Sequence, residues 1–440
     1  MFRHGLAGFV AFGLLCAAPA TAQLNLPQAP LQLPGIPSAP QLTTTPNAVV
    51  RSAQDALDPR NLLDSRRLAV RDLMRRHADV LETDPAGEPI VRGELIGFAP
   101  NAAALDAARK AGFAVADERA LPGIEPGIVV LRSPAKVSTA QALERLRGLD
   151  PQGAYDFNHL YVPAGTLQGL AAASIGIAVA EAPAGRMKIG LVDGGVDIGH
   201  PSLQRAAVRP FGCATTSMPS AHGTAVASLL VGRARGFSGA APNATLYAAD
   251  VYCDRPTGGS ASLIAGALAW MAREQVAVIN LSLVGPANRT LERAVRTLIA
   301  RGHVIVAAAG NDGPASPPLY PAAYRDVVAV TAIDVKHQVL PEAIRGAHIV
   351  FAAPGADMAV AKSGESGFSR ARGTSFAAPL VAGLLAVAYD PGGRLHSDAS
   401  RRAIDALIQE AVDLGPHGRD ETYGHGLVGE RLRVDPVALR

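Results

Sequence analysis

From residue 186 onward one pattern recurs: short, continuously apolar runs at 189–192, 246–251, 276–283, 304–309, 327–333 and 349–353, separated by helical stretches such as 263–274 and 291–300. None of these runs alternates apolar with polar residues, as a strand with one wet face would. Each is therefore expected to be buried on both sides, which implies a mainly parallel sheet covered by helices on both faces. Ligands of such sheets sit beyond the carboxyl ends of the strands, so chemistry is expected there. With 48% hydrophobic and 18% charged residues the chain can bury a large core, which excludes a wholly disordered protein. The 41 basic and 38 acidic side chains leave a net charge of only +3, spread along the chain, so no nucleic-acid partner is expected.

The N-terminal part is organised differently. Residues 1–22 carry Arg3, an apolar stretch over 6–16 and the closing triplet Ala20-Thr21-Ala22. These are the marks of a signal peptide cleaved before Gln23, and hence of an exported, secreted or periplasmic protein. The stretch is too short to span a bilayer, and no later segment qualifies, so no integral membrane segment is expected. Residues 23–50 read as a Pro-rich linker and 51–87 as a helical segment. Residues 88–164 read as a small α+β domain, with strand 90–98, helix 102–111, a strand pair ending at 127–131, helix 139–149 and strand 155–162. An Ala/Gly-rich linker over 165–185 follows, then the main α/β domain over 186–430 and a tail over 431–440. Two cysteines lie beyond the leader, Cys213 and Cys253. An even pair in an exported chain is a candidate disulfide, two buried thiols being the alternative.

Four strand ends or helix starts carry reactive side chains. Asp193 ends the first apolar run in Asp-Gly-Gly, which alone is a turn. His222 opens an apolar helix in His-Gly-Thr, where a single histidine is more often a polar cap. Asn311 follows the run 304–309 in Asn-Asp-Gly, ordinary turn chemistry by itself. Ser375 enters an apolar helix read as 376–388, where a serine N-cap would also account for it, with Pro379 tolerated in the first turn. Together, Asp, His, Asn and Ser on one α/β domain supply what acyl transfer requires. The chain has no His-Glu-x-x-His, no Gly-rich phosphate loop and no Gly-x-Ser-x-Gly elbow.

In that order these segments resemble the subtilisin-like serine peptidases, the subtilases, over about 188–428. Supporting matches are Asp197, His200-Pro201, Asn280-Leu281-Ser282-Leu283, Tyr320-Pro321-Ala322 and Gly424-His425-Gly426-Leu427-Val428. The resemblance implies a subtilisin-like three-layer α/β fold preceded by a small α+β propeptide-like domain. It implies an exported serine endopeptidase, made as a self-processing zymogen, that acts through an acyl-enzyme. Ser375 would be the nucleophile, His222 its base, Asp193 the orienting carboxylate and Asn311 a donor to the oxyanion. Protein or peptide substrates would lie extended along Ser282, Leu283, Val284 and Gly285 and along Ala308, Ala309 and Gly310, adding a strand. The chain's own propeptide-like domain would be a further partner. No cofactor or metal is required for the chemistry, and structural calcium is left open. The chain departs from the family in three places. Gly194 stands where Ser or Thr is usual, Val284 stands where Gly is usual on the pocket rim, and little of a mature domain's leader precedes Lys188. The competing reading is a catalytically silent subtilase-fold binding or chaperone module, which would be expected to lack one of the four reactive residues.

Overall fold

In this computed structural model the described residues are 68, 70–121, 124–164, 166–167, 187–213, 218–389 and 395–439. The leader, the Pro-rich linker, residues 51–67 and, apart from 166–167, the Ala/Gly-rich run lie outside them. The apolar runs form a seven-stranded sheet in the order Ile349–Pro354, Val328–Ile333, Val304–Ala308, Val278–Leu281, Lys188–Asp193, Thr245–Asp250 and Val208–Phe211. Every neighbouring pair in it is parallel.

The period of two along a strand sends successive side chains to opposite faces, and here it builds two cores. Ile189, Leu191, Val304 and Val306 join one buried cluster, which includes the helices Ala221–Val231 and Thr374–Ala388. Val192, Ile279, Ile305 and Ala307 join the other, with the helices Ala261–Arg273 and Arg289–Ala300. Helix Thr374–Ala388 is buried almost all round, as its uniformly small and apolar sequence requires.

Three details differ from the sequence reading. The seventh strand, Val208–Phe211, is not among the expected runs; it contains Pro210 and pairs on one side only, at the sheet edge where a missing N–H is tolerated. The run 276–283 divides into the strands Val278–Leu281 and Leu283–Val284, and the second leaves the main sheet to pair elsewhere. Helix Thr374–Ala388 begins two residues before the expected 376.

Residues 81–159 form a five-stranded antiparallel sheet. Leu95, Val129 and Leu131 face the helices Ala102–Lys110 and Thr139–Leu149, whereas Ile96, Ile128 and Val130 join the cluster of helices Ala261–Arg273 and Arg289–Ala300. The middle strands of this small sheet are therefore covered on both faces, the edge strand Ala114–Leu121 being largely exposed, and the sheet shares a core with the parallel-sheet region. Polar groups at the seam are paired. Asp156 Oδ2 accepts from Arg289 N at 2.7 Å, Thr290 Oγ1 donates to the carbonyls of Ile96 and Ala154, and Asn158 bonds Ser262 through both ends of its amide. The sulfur atoms of Cys213 and Cys253 are joined in a disulfide. Among the described residues no helix is long and apolar enough to cross a membrane.

His303 precedes strand Val304–Ala308 and is buried, donating from Nδ1 to Val276 O at 2.7 Å. Burial pushes its pKa down from 6.5 to about 4. The unfolded chain therefore takes up this proton before the folded one does. The stability concerned is fully present above pH about 6.5 and is lost as the pH falls to about 4, on the order of 3 kcal/mol. Urea titrations of a Ser375→Ala protein should show falling stability across that window and a shallower fall when His303→Asn is added. Equal pH slopes in the two proteins would contradict the assignment.

Candidate active site

Asp193 is the last residue of strand Lys188–Asp193 and His222 the second residue of helix Ala221–Val231. They meet because the helix start approaches the strand end with nothing between them. A Cβ at Gly223 would lie 2.2 Å from the Gly194 carbonyl oxygen, so the His-Gly and Asp-Gly pairs are a packing requirement. Both carboxylate oxygens of Asp193 lie 2.9 Å from His222 Nδ1, and Oδ1 also accepts from Gly194 N at 2.6 Å. An ionised carboxylate only accepts, so Nδ1 carries the proton and Nε2 is left as the acceptor. Both residues are buried, which strengthens the pairing.

The missing hydroxyl at Gly194 has a steric explanation. A Cβ there would lie 2.2 Å from Ser220 Oγ and 2.8 Å from Ser220 Cβ, so Ser220 fills the space. Ser220 is the N-cap of the histidine helix, its Oγ accepting from Gly223 N at 2.9 Å. A second buried carboxylate, Asp250, stands behind this turn between the two disulfide cysteines, with its Oδ1 accepting from Tyr252 N and Cys253 N. Burial raises its pKa, and the charge of Asp193 adds to the effect.

Ser375 is not the N-cap of its helix. Gly373 holds that position at φ 129°, a conformation that favours glycine, and Ser375 is the second helical residue. Pro379 consequently lies beyond the first turn. Lacking an N–H, it leaves the carbonyl of Ser375 without its helical partner, and Ser282 Oγ donates to that carbonyl at 3.0 Å. Asn280 Nδ2 in turn donates to Ser282 Oγ at 2.9 Å. Ser375 Oγ and His222 Nε2 are both buried and neither has a hydrogen-bond partner. The ring of His222 packs 5.4 Å from that of Phe376, the next residue after the serine. The structure thus joins Asp193 to His222 directly and sets Phe376, the residue after Ser375, against the imidazole, with no hydrogen bond between imidazole and serine hydroxyl.

Asn311 follows strand Val304–Ala308. Its Oδ1 accepts from Thr374 N at 3.1 Å, which orients the amide so that Nδ2 is free to donate outward. The oxygen that receives it is the carbonyl of Ala164, which also accepts from Ser375 N at 3.3 Å. Two donors thus converge on one carbonyl oxygen from the N-terminal part of the same chain. The residues around Ala164 are extended. Val162–Pro163 pairs antiparallel with Leu283–Val284, and Ala164 N donates to Ser282 O at 3.1 Å. On the far side, Thr166–Leu167 pairs with strand Phe368–Arg372.

Of the residues expected to meet an added strand, Ser282, Leu283 and Val284 do so. Gly285 exchanges both its backbone bonds with Tyr320 instead, and Ala309 N donates to Val330 O. Gly310 N donates to Thr374 Oγ1 at 3.1 Å, so the 308–310 segment offers no strand pairing to residues 162–164. A second edge, missed in the sequence, is supplied by Gly259 and Ser260: Tyr161 N donates to Gly259 O at 2.9 Å, and Leu160 bridges Ser260. Its one signal was the Gly258-Gly259-Ser260 turn before the helix, which resembles any other loop.

The family model described as the subtilase family, peptidase S8, matches residues 185–426, more than half of the chain. The chain belongs to the subtilase family. Among curated relatives of this subtilase, the minor extracellular protease Epr of Bacillus subtilis (strain 168) is 31% identical over 257 residues, 57% of this chain and 39% of Epr. Subtilisin Savinase of Lederbergia lenta is 35% identical over 266 residues, 58% of this chain and 95% of its own length. The crystal structure of fervidolysin from Fervidobacterium pennivorans, a keratinolytic enzyme related to subtilisin, superposes with a TM-score of 0.63 at 20% identity. That match covers 79% of this chain and 61% of fervidolysin, and the likeness it shows is one of fold.

Removing the Asn311 amide from this subtilase should lower kcat for peptide hydrolysis by about a hundred- to a thousandfold with little change in KM. That range is the one known for losing such a donor in a subtilisin. Steady-state kinetics of Asn311→Ala on a peptide substrate provide the check, and a loss confined to KM would make Asn311 a binding group.

Proposed function

We propose that this subtilase is an exported serine endopeptidase, made as a zymogen whose N-terminal part occupies the active site until it is cut away. One observation carries the reading: the carbonyl oxygen of Ala164 receives hydrogen bonds from Asn311 Nδ2 and Ser375 N, the geometry wanted where negative charge develops in acyl transfer. Ser375 Oγ adds to a substrate carbonyl and passes its proton to His222 Nε2. Asp193 stabilises the imidazolium through Nδ1, and the leaving amine takes the proton as the acyl-enzyme forms. Water, deprotonated by the same imidazole, then releases the acid. Presence of all four reactive groups favours the enzyme over a silent binding module. The leader over 1–22 and the name of the extracellular relative Epr support export.

The N-terminal sheet suits an inhibitory role because its Ile96, Ile128 and Val130 are buried against helices of the catalytic region. The topology of the catalytic region also favours it, since a parallel sheet closes many distant contacts and nucleates slowly, which a folding aid would offset. Expressed for export in a protease-deficient host, Ser375→Ala protein should accumulate as one species beginning at Gln23 and should not hydrolyse casein. The parent protein should yield a shorter catalytic chain that does. Undiminished casein hydrolysis by the Ser375→Ala protein would overturn the reading.

A further inference from the structure

We propose that Tyr161-Val162-Pro163-Ala164 is the cognate recognition sequence of this active site. The enzyme hydrolyses its own Ala164–Gly165 bond and, in trans, favours peptides with tyrosine four residues before the cleaved bond and a small residue at it. This rests on the peptidase reading and adds to it the bond and the substrate class.

The register is set by backbone hydrogen bonds on both sides of the segment. Leu160 and Tyr161 lie along Gly259 and Ser260, and Val162 and Pro163 along Val284 and Leu283. Ala164 N is held by Ser282 O, and beyond the carbonyl the chain continues along Ala371 and Arg372. Each of these contacts would be lost by a slip of one residue, and only the Ala164 carbonyl stands between the two donors beside Ser375.

The site for the residue at the cleaved bond is small. Ala164 is 3% exposed and belongs to the same buried cluster as Val284, Leu319 and Ile344. These three converge on Gly310, where a Cβ would lie 2.9 Å from Ile344 Cδ1, 2.9 Å from Leu319 Cδ1 and 3.6 Å from Val284 Cγ1. Val284, one of the departures from the family pattern, thus narrows this space.

The site for the fourth residue is large and has a polar end. Tyr161 is fully buried, and its ring lies where a Cβ on Gly285 would come within 2.5 Å of Cδ1. Its hydroxyl donates to Pro286 O at 2.9 Å, beside Tyr324, whose own hydroxyl donates to Asn288 O. A pocket with Gly285 as one wall and a carbonyl at its end selects a phenol over an aliphatic chain. Val162 and Pro163, by contrast, are partly exposed or exposed and carry little selectivity.

In the proposed step the Ala164 carbonyl carbon gains the Ser375 Oγ bond and loses the bond to Gly165 N. The serine proton passes through His222 to that nitrogen. One water then restores Ser375 and leaves Ala164 as a carboxylate. The freed fragment retains its apolar face on the catalytic region until it is displaced or degraded.

Two readouts test this. Intact mass of the fragment released by the parent protein should place its C-terminus at Ala164, a position unaffected by later trimming of the catalytic chain's new N-terminus. The mature enzyme, freed of that fragment, should then be assayed on a fluorogenic peptide containing Tyr-Val-Pro-Ala-Gly-Thr-Leu. Replacing its tyrosine by phenylalanine should lower kcat/KM about fivefold, the worth of one hydrogen bond. Replacing tyrosine by alanine, or the alanine before the cut by leucine, should lower it about a hundredfold. Gly285→Ala should erase the preference for tyrosine, and Val284→Gly should restore much of the loss with leucine. A fragment ending elsewhere, or equal rates for the tyrosine and alanine peptides in an enzyme that still digests casein, would overturn the inference and leave the peptidase reading standing. If neither casein nor any peptide is cut, the peptidase reading falls and this inference with it.

Discussion

The shared oxygen of Ala164 is the contact on which the rest of the site depends. Two N–H donors, from Asn311 and from Ser375, reach it from different secondary-structure elements, and each is held from behind. Thr374 N binds the other end of the Asn311 amide, and Thr374 Oγ1 accepts from Gly310 N in the loop before it. Preorganised donors of this kind stabilise developing charge without rearranging during the reaction, so their worth lies in how firmly the scaffold holds them.

That firmness comes from three features of the fold. A parallel sheet buried on both faces fixes the ends of the strands that carry Asp193 and the loop of Asn311. Close backbone approach at Gly223 and Gly194 then brings the histidine helix onto the aspartate turn. The serine helix is tied in through Pro379, which releases the Ser375 carbonyl, and Ser282, which takes it. The backbone oxygen of Ser282 also receives Ala164 N. One residue therefore links the backbone of Ser375 to the extended segment lying in the cleft.

The strands and reactive residues were legible in the sequence because they have side-chain signatures: unbroken apolar runs, and Asp, His, Asn and Ser at strand ends or helix starts. The small α+β region was legible for the same reason, its Ile96, Ile128 and Val130 alternating with Leu95, Val129 and Leu131. What could not be read was the register of residues 160–167 in the cleft, since main-chain hydrogen bonds to Gly259, Ser282 and Arg372 leave no mark on side-chain identity. Local rules also misplaced the helix start. A serine before an apolar run looks like a cap, but Gly373 at positive φ takes that position and Ser375 falls inside the helix. Likewise, the glycine at 194 reads as a lost hydroxyl until Ser220 is seen in the space a side chain would need.

On the proposed function, Ser375 becomes a reactive nucleophile once the N-terminal segment has left the cleft. It is tested most directly by treating the processed protein with a fluorophosphonate and mapping the adduct by peptide mass spectrometry. One adduct is expected, on Ser375, with hydrolysis lost in proportion to labelling. A folded, processed protein that leaves Ser375 unmodified while still hydrolysing peptides would contradict it.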